Sequence, residues 1–217
     1  KRALQVDFME VAAPYRGPRL HPEPADANRK VDPEWGFVTQ YVEHASGAYW
    51  DFCDFPLRDA NEETLANWPL PSPEDYDIED AVRQADAMSE FAVYYGNPGL
   101  GDIMNSTGFL CGMERVYMDL LTEEPALLDF VDRRLAVQLE VMERVLDKGR
   151  GKIDFIWMGE DLGTQIAPII SLEMFRRVIK PRHRKFIDLA KAYNLPVMLH
   201  SCGSSSWAYD DYIELGL

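Results

Sequence analysis

Short apolar runs alternate with longer amphipathic stretches between residues 77 and 217. The apolar runs are too short for helices and predict buried strands at 91–95, 153–158 and 196–201. The amphipathic stretches predict helices at 78–90, 113–121, 124–148, 171–193 and 207–215. Because the strands are apolar at nearly every position, the pattern indicates an α/β fold with a buried parallel sheet.

Residues at the ends of these stretches support the predicted helices. Asp77 and Ser171 are expected to cap the helices that follow them, and Pro125 belongs to the first turn of the long helix, which Gly149 ends. Pro181 lies within 171–193 and is expected to divide that helix in two, because proline lacks a backbone N–H.

Residues 1–76 show a weaker pattern and are predicted to be largely irregular, in contrast to 77–217. Closely spaced prolines argue against long elements in the first part. A short strand at 4–8, a hairpin-like pair of strands at 35–39 and 48–52, and a short helix at 61–65 are the expected exceptions.

The stretch that ends the last predicted strand carries the most distinctive chemistry. In a strand, side chains two residues apart point to the same face, so His200 and Cys202 are expected to lie side by side and Ser201 on the opposite face. Gly203 then allows the chain to turn away. An imidazole and a thiolate together supply half of a zinc site. The alternative is a buried histidine beside a buried free cysteine.

Polar residues also follow the strand at 153–158. Glu160, Asp161 and Gln165 are expected at the same rim as His200 and Cys202, because the carboxyl ends of parallel strands lie along one edge. Consecutive carboxylates cannot share one face, so one should point into the site and the other sideways. The alternative is that both acids cap helices or are solvated.

Charge and cysteine content narrow the classes of partner. The 217 residues contain 22 Lys+Arg and 37 Asp+Glu, a net charge of −15, which disfavours nucleic acid and anionic membranes as partners. No run approaches the length of a membrane span. Three widely spaced cysteines do not form a disulfide framework and fit a reducing compartment, so a soluble cytoplasmic protein is expected.

The remaining histidines and a basic helix are expected to be structural. His21 and His44 lie in the irregular part and His183 lies among arginines, so all three are predicted at the surface. The basic residues of the helix are expected to balance acidic neighbours on its outer face; they are Arg176, Arg177, Lys180, Arg182, Arg184 and Lys185.

Several segments together resemble the uroporphyrinogen decarboxylase family. The most specific part is 153–216, with Glu-Asp-Leu-Gly-Thr-Gln at 160–165, Ile-Lys-Pro at 179–181, Val-Met-Leu-His-Ser-Cys-Gly at 197–203 and Ile-Glu-Leu-Gly at 213–216. Asp-x-x-Trp-Gly at 32–36, Pro-Leu at 56–57, Trp-Pro-Leu-Pro at 68–71 and Gly-Met-Glu at 112–114 resemble the N-terminal half of that family. The resemblance covers most of the chain.

The resemblance implies a (β/α)8 barrel of the triosephosphate isomerase type, and its details favour one branch of the family. The His-x-Cys-Gly strand is similar to that of the corrinoid-dependent methyltransferases, where it supplies two zinc ligands and a distant cysteine supplies another. By this resemblance His200 and Cys202 would bind zinc, Glu160 or Asp161 would be a third ligand or handle protons, and Gln165 would orient the substrate. The arginine-rich segment that marks the decarboxylases is not found.

Three functions follow as expectations. The favoured one is a zinc-dependent methyltransferase that acts with a corrinoid, which a separate corrinoid protein would carry, and a thiol or other acceptor. The alternatives are a metal-free uroporphyrinogen decarboxylase and a non-catalytic barrel that binds a tetrapyrrole. A complete barrel takes about 250 residues. The chain is therefore expected to hold a single barrel domain that is incomplete at both ends, with Cys53, Cys111 or a residue outside the chain as a further ligand; of these, Cys111 is disfavoured.

Overall fold

The computed structural model describes residues 6–217, which form two sheets and a layer of helices. The strands are β1 (Phe8–Val11), β2 (Arg29–Val31), β3 (Val38–His44), β4 (Gly47–Phe52), β5 (Ala92–Tyr95), β6 (Phe155–Gly159) and β7 (Val197–His200). Parallel strands form the larger sheet in the order β1-β5-β6-β7, and the smaller sheet is antiparallel in the order β2-β3-β4. The parallel α/β sheet is confirmed. Within residues 6–217 it is open, with β1 and β7 at its edges, and does not close into a barrel.

The helices agree with the predicted pattern in most places. They are α1 (Glu62–Ala66), α2 (Ile78–Ala87), α3 (Met104–Cys111), α4 (Met113–Thr122), α5 (Pro125–Lys148), α6 (Leu172–Met174), α7 (Lys180–Ala192) and α8 (Tyr209–Leu215). Asp77 and Ser171 cap α2 and α6 as predicted, accepting from the backbone N–H three residues later. Among the helices of residues 6–217, none combines the length and the apolar character that crossing a membrane requires.

Pro181 widens its helix instead of dividing it. A π-helical turn, Phe175–Ile179, joins α6 to α7, and the Lys180 N–H reaches back five residues to the carbonyl of Phe175. This wider turn, placed just before the proline, lets the helix continue where an α-helical turn would clash with the ring. Residues 172–192 are therefore one continuous element, which corrects the prediction of two separate helices.

The N-terminal part is more ordered than the sequence pattern indicated. It contributes β1 to the main sheet and all of the smaller sheet, because strands of three to seven residues fit between the prolines. The predicted hairpin forms as β3 and β4, but its first strand lies at Val38–His44 and not at 35–39; β2 was not anticipated. The strand predicted at 4–8 is displaced: β1 covers Phe8–Val11, and residues 6 and 7 do not belong to it. Residues 4 and 5 lie outside the described residues.

One face of the parallel sheet is covered by helices, and the other presents aromatic side chains. Alternate residues such as Val93, Ile156 and Met158 pack against the helices and are buried. The opposite face, here called the inner face, carries Phe8, Tyr94, Phe155, Trp157 and Met198 in neighbouring positions. Phe8 and Met198 on this face are 45% and 39% exposed. Only one face of this sheet is therefore fully covered in the described part of the chain.

Two histidines predicted at the surface are buried. His183 is fully buried because its position on α7 turns inward toward α8, where its Nδ1 lies 3.0 Å from the hydroxyl of Tyr212. His21 is 4% exposed and stacks on Trp68 with 4.7 Å between ring centroids. His44 is exposed, as expected. Neighbouring charged residues did not indicate which way His183 faces, since a helix presents opposite faces every two residues.

The basic outer face of α6 and α7 is confirmed as a set of ion pairs. Arg182 binds Asp132, with 2.8 Å between Nη2 and Oδ2, and Lys180 binds Asp211 at 2.6 Å. Arg176 also contacts Asp211, at 3.0 Å. These pairs attach α7 to α5 and α8 and neutralise part of the acidic surface.

Candidate metal centre

The ends of β6 and β7 bring three potential metal ligands together. His200 Nε2 lies 3.2 Å from Cys202 Sγ and 3.5 Å from Asp161 Oδ1. A ligand atom from each residue lies within 4.8 Å of the other two. His200 and Cys202 share one face because they are two residues apart at the end of a strand. We call Asp161, His200 and Cys202 the triad.

The spacing of the triad suits a tetrahedral zinc ion. With zinc bonds of about 2.3 Å to sulfur and about 2.0–2.1 Å to nitrogen, tetrahedral geometry separates those two ligand atoms by roughly 3.5 Å. The separations of 3.2 Å from His200 Nε2 to Cys202 Sγ and 3.5 Å from His200 Nε2 to Asp161 Oδ1 are close to this value. Three protein ligands also leave one position for water or substrate, as catalytic zinc sites do.

Asp161 is held in place by neighbours on two other elements. Its Oδ1 accepts a hydrogen bond of 2.7 Å from the backbone N–H of Cys202, and its Oδ2 accepts one of 3.0 Å from Asn105 Nδ2 on α3. Hydrogen bonds of this kind orient a metal-binding carboxylate. Asn105 was not anticipated from the sequence, because nothing in Met-Asn-Ser-Thr-Gly-Phe-Leu-Cys indicated a helix there.

The preceding acid, Glu160, points to the other side of the strand. Its Oε2 and Oε1 accept hydrogen bonds from the backbone N–H groups of Ile103 and Met104, at 2.8 and 3.0 Å, and it is 1% exposed. Glu160 thus caps the start of α3 from a distance. The two consecutive acids do separate as expected: Asp161 joins the triad, and Glu160 lies among the helices.

Tight contact between the two loops fixes the triad. The N–H of Ser204 donates to the carbonyl of Thr164 at 2.7 Å, and the N–H of Leu162 donates to Ser201 Oγ at 3.0 Å. A methyl group on Gly163 or on Gly203 would come within 2.2 Å of backbone atoms of the opposite loop. Glycine at both positions therefore lets the loops approach closely enough to align Asp161 with His200 and Cys202.

The other residues considered as ligands or catalytic groups lie apart from the triad. Cys53 and Cys111 are buried elsewhere, and the group of potential ligands found in residues 6–217 does not include them. Gln165 is exposed on the loop between β6 and α6, where the described residues offer it no hydrogen bond to the triad. In the described part of the chain, the third potential ligand is the carboxylate of Asp161.

The close contacts of the triad change the acidity of its members. The hydrogen bond of Cys202 to Asp161 raises the pKa of that thiol, with smaller contributions from burial and from the charge of Asp161. Burial raises the pKa of Asp161, but hydrogen bonds from Cys202 and Asn105 and the charge of His200 outweigh it, so the pKa is lowered. Asp161 is therefore an anion at neutral pH, as a metal ligand must be.

A second group of titratable residues is buried behind the triad, around the start of α3. Burial raises the pKa of Asp102 to about 8 and that of Glu160 to about 7, and burial lowers the pKa of His183 to about 4. Glu160 Oε2 lies 3.5 Å from His183 Nε2, and Asp102 Oδ2 accepts from both the N–H and the hydroxyl of Ser106 at 2.5 Å. These residues form a buried polar cluster that supports the rim.

Neither a scan against protein-family models nor a search of curated protein sequences finds a significant match to the chain. Membership of the uroporphyrinogen decarboxylase family therefore stays a prediction from the residues that carry the resemblance.

Proposed function

We propose that the protein is a zinc-dependent methyltransferase of the uroporphyrinogen decarboxylase family, which moves a methyl group between a corrinoid and a thiol. The observation that carries this proposal is the triad of sulfur, nitrogen and oxygen donors at the carboxyl rim of a parallel sheet. Zinc accepts all three donor types and has a high affinity for thiolate. The resemblance of the His-x-Cys-Gly segment to the methyltransferase branch points to the same chemistry.

The residues of the triad would divide the work as follows. His200 and Cys202 bind the metal, and Asp161 completes the protein ligands while Asn105 and the Cys202 N–H keep its carboxylate in position. Bound zinc lowers the pKa of a thiol ligand, so that an acceptor thiol is present as thiolate at neutral pH. His200 is 40% and Asp161 28% exposed, which leaves the site open to a substrate.

The transfer itself exchanges one bond for another. The methylated corrinoid would supply the methyl group: its cobalt–carbon bond would break with the electron pair staying on cobalt, a sulfur–carbon bond would form, and the thiol proton would be released. Gln165 is exposed on the loop between β6 and α6, the same loop that carries Asp161, and we propose that it contacts the acceptor. We propose no proton-transfer role for Glu160, because it is buried and hydrogen-bonded to the start of α3.

Methyl transfer from methylcobalamin to a small thiol tests the proposal. We expect the activity to require zinc, to be lost after chelation and to return when zinc is added. Cys202→Ala should abolish it, whereas the matched variant Cys53→Ala, which removes a buried cysteine outside the triad, should retain it. Carbon dioxide release from uroporphyrinogen by the metal-free protein would overturn the proposal in favour of decarboxylation.

A further inference from the structure

A cavity of about 360 Å³ lies beside the carboxyl ends of β1 and β5. Its walls come from the ends of these two strands and the segments that follow them, from α3 and α5, from the segment between β2 and β3, and from the end of β4. None of the triad residues lines it. The volume lies within the range of small-molecule binding sites. The cavity is separate from the candidate metal centre, although Ser106 on its wall follows Asn105, which binds Asp161.

Much of the wall is aromatic and would favour a flat ligand. The rings of Phe52 and Phe109 are stacked 3.6 Å apart, and Phe37 meets both edge-on at about 6 Å. Trp35 and Tyr95 also line the cavity. Aromatic side chains arranged in this way provide both faces and edges against which another ring can pack.

A buried arginine on the same wall has a donor without a partner and no carboxylate bound to it in the described part of the chain. Arg134 is 2% exposed; its Nη1 donates to Thr107 Oγ1 at 2.8 Å, and its Nε has no hydrogen-bond partner in the described part of the chain. A buried guanidinium is normally paired with a carboxylate or fully hydrogen-bonded, because leaving it unpaired is costly. Arg134 thus places a guanidinium on the cavity wall with no carboxylate paired to it among the residues described, and this favours an anionic ligand.

The acidic residues that line the cavity already accept hydrogen bonds and do not require a cation as ligand. Glu34 already accepts a hydrogen bond from the hydroxyl of Tyr76, and Glu10 accepts one of 3.4 Å from Asn97. Burial raises the pKa of Glu34, against the opposing effect of the hydrogen bond from Tyr76. The acids have donors, whereas the Nε of Arg134 has no acceptor among the residues described, so the unmet requirement of the cavity is for an anion.

We propose that this cavity binds a small aromatic carboxylate, with the carboxylate paired to Arg134 and the ring packed against Phe37, Phe52 and Phe109. The pairing would give the guanidinium a carboxylate partner in the planar geometry that the two groups share. The proposal goes beyond the methyl transfer proposed above and does not depend on it, since binding here needs no metal.

Binding of 4-fluorobenzoate to the metal-free full chain, followed by fluorine NMR and calorimetry, tests this inference. Arg134→Met should weaken binding by about tenfold or more, because a charge-assisted pair is lost. The matched control is Arg133→Met, which removes the same charge from the neighbouring arginine, whose partners Asp129 and Leu65 lie outside the cavity. That variant should bind as the unaltered chain does.

A cavity-filling variant, a neutral analogue and competition by acetate complete the test. If Arg134→Met fails to fold, Ala13→Leu fills the cavity while keeping the arginine, and it should also block binding. The neutral analogue 4-fluorobenzamide should bind about tenfold more weakly than the acid. Equal binding of acid and amide, retained binding in Arg134→Met or Ala13→Leu, or displacement by acetate as effective as by benzoate would overturn the proposal. So would an absence of 4-fluorobenzoate binding at millimolar concentration.

Discussion

At the scale of single residues, the buried carboxyl of Asp102 should make stability depend on pH. Burial raises its pKa to about 8, and nearby Glu160 adds to this against the opposing hydrogen bonds from Ser106 and the charge of Arg134. In the unfolded chain the pKa of an aspartate is about 4. The folded state thus binds the proton more tightly, and this contribution to stability is full below about pH 4 and is lost as the pH rises toward 8.

Asp102→Asn should therefore stabilise the protein more at pH 8 than at pH 6.5. The asparagine keeps an acceptor for Ser106 and never ionises. The free energy of unfolding of the variant, relative to that of the unaltered chain, should therefore rise by about 1–2 kcal/mol between pH 6.5 and pH 8. His183 has the opposite effect on the pH dependence of stability. Its pKa is lowered to about 4 in the folded state, so its effect falls mainly below pH 6.5 and outside this comparison. Urea unfolding at the two pH values measures the difference, and an equal effect at both would contradict the buried, protonated carboxyl.

Amide variants of the consecutive acids Glu160 and Asp161 test which of the two binds the metal. Asp161→Asn should lower zinc affinity by about tenfold or more, because a charged ligand at the triad is replaced by a neutral one. Glu160→Gln should leave zinc affinity nearly unchanged and lower thermal stability, since Glu160 accepts from the first N–H groups of α3. Competition with a coloured chelator gives both affinities, and the reverse order would show that the wrong acid is assigned.

At the scale of elements, the approach of the loops after β6 and β7 should tolerate no side chain at Gly203. Its φ is +70°, and a Cβ would lie 2.2 Å from the carbonyl oxygen of Gly163. Gly151 has a similar φ of +78° with nothing within 4 Å, so Gly151→Ala measures the backbone cost alone.

Gly203→Ala should accordingly cost about 3 kcal/mol or more, against about 1–2 kcal/mol for Gly151→Ala. Because the same loops align Asp161 with His200, Gly203→Ala should also weaken zinc binding and Gly151→Ala should not. Denaturant unfolding and zinc titration of the two variants test this, and equal losses of stability would argue against the close loop contact.

The elements that could be predicted from the sequence are those with a clear local pattern of apolar residues. The buried strands and α5 were recognisable because their apolar residues follow strand or helix periodicity, and the His200–Cys202 pair follows from the two-residue repeat of a strand. In contrast, α3 contains Ser106, Thr107 and Gly108 and has no side-chain cap of its own. Its start is capped by Glu160, 57 residues away from Ile103 in the sequence, which no local pattern can reveal.

At the scale of the whole molecule, the inner face of the parallel sheet should promote association of this chain. It carries neighbouring aromatic rings, including Tyr94 and Phe155 stacked at 5.0 Å, and lies between the two edge strands. Exposed apolar patches and free strand edges both favour contact with other chains.

Replacing Phe8 and Met198 together by lysine should reduce this association. Sedimentation velocity should show a shift toward the monomer, and binding of a hydrophobic dye should fall. Ile166→Lys is the control, because Ile166 is 93% exposed but lies on the loop between β6 and α6 and not on a strand of the sheet. An unaltered chain that stays monomeric at high concentration would contradict the prediction.

The sequence indicated the sheet but not how its parts are combined. The polar rim could be predicted because parallel strands end at one edge, yet the choice of Asp161 over Glu160 depends on Asn105, 56 residues earlier. The aromatic cavity was not anticipated, since residues that are far apart, such as Phe37, Phe109 and Arg134, meet there only after folding. The buried position of His183 depends in the same way on Tyr212.

The most direct test of the metal centre is the zinc content of the purified protein and of two cysteine variants. Elemental analysis of the unaltered chain should find about one zinc per chain, as one site requires. Cys202→Ser should lose the zinc, and Cys53→Ala should keep it, because Cys53 lies outside the triad. Zinc retained by Cys202→Ser, or none in the unaltered chain after incubation with zinc, would contradict the assignment of Asp161, His200 and Cys202 as a metal site.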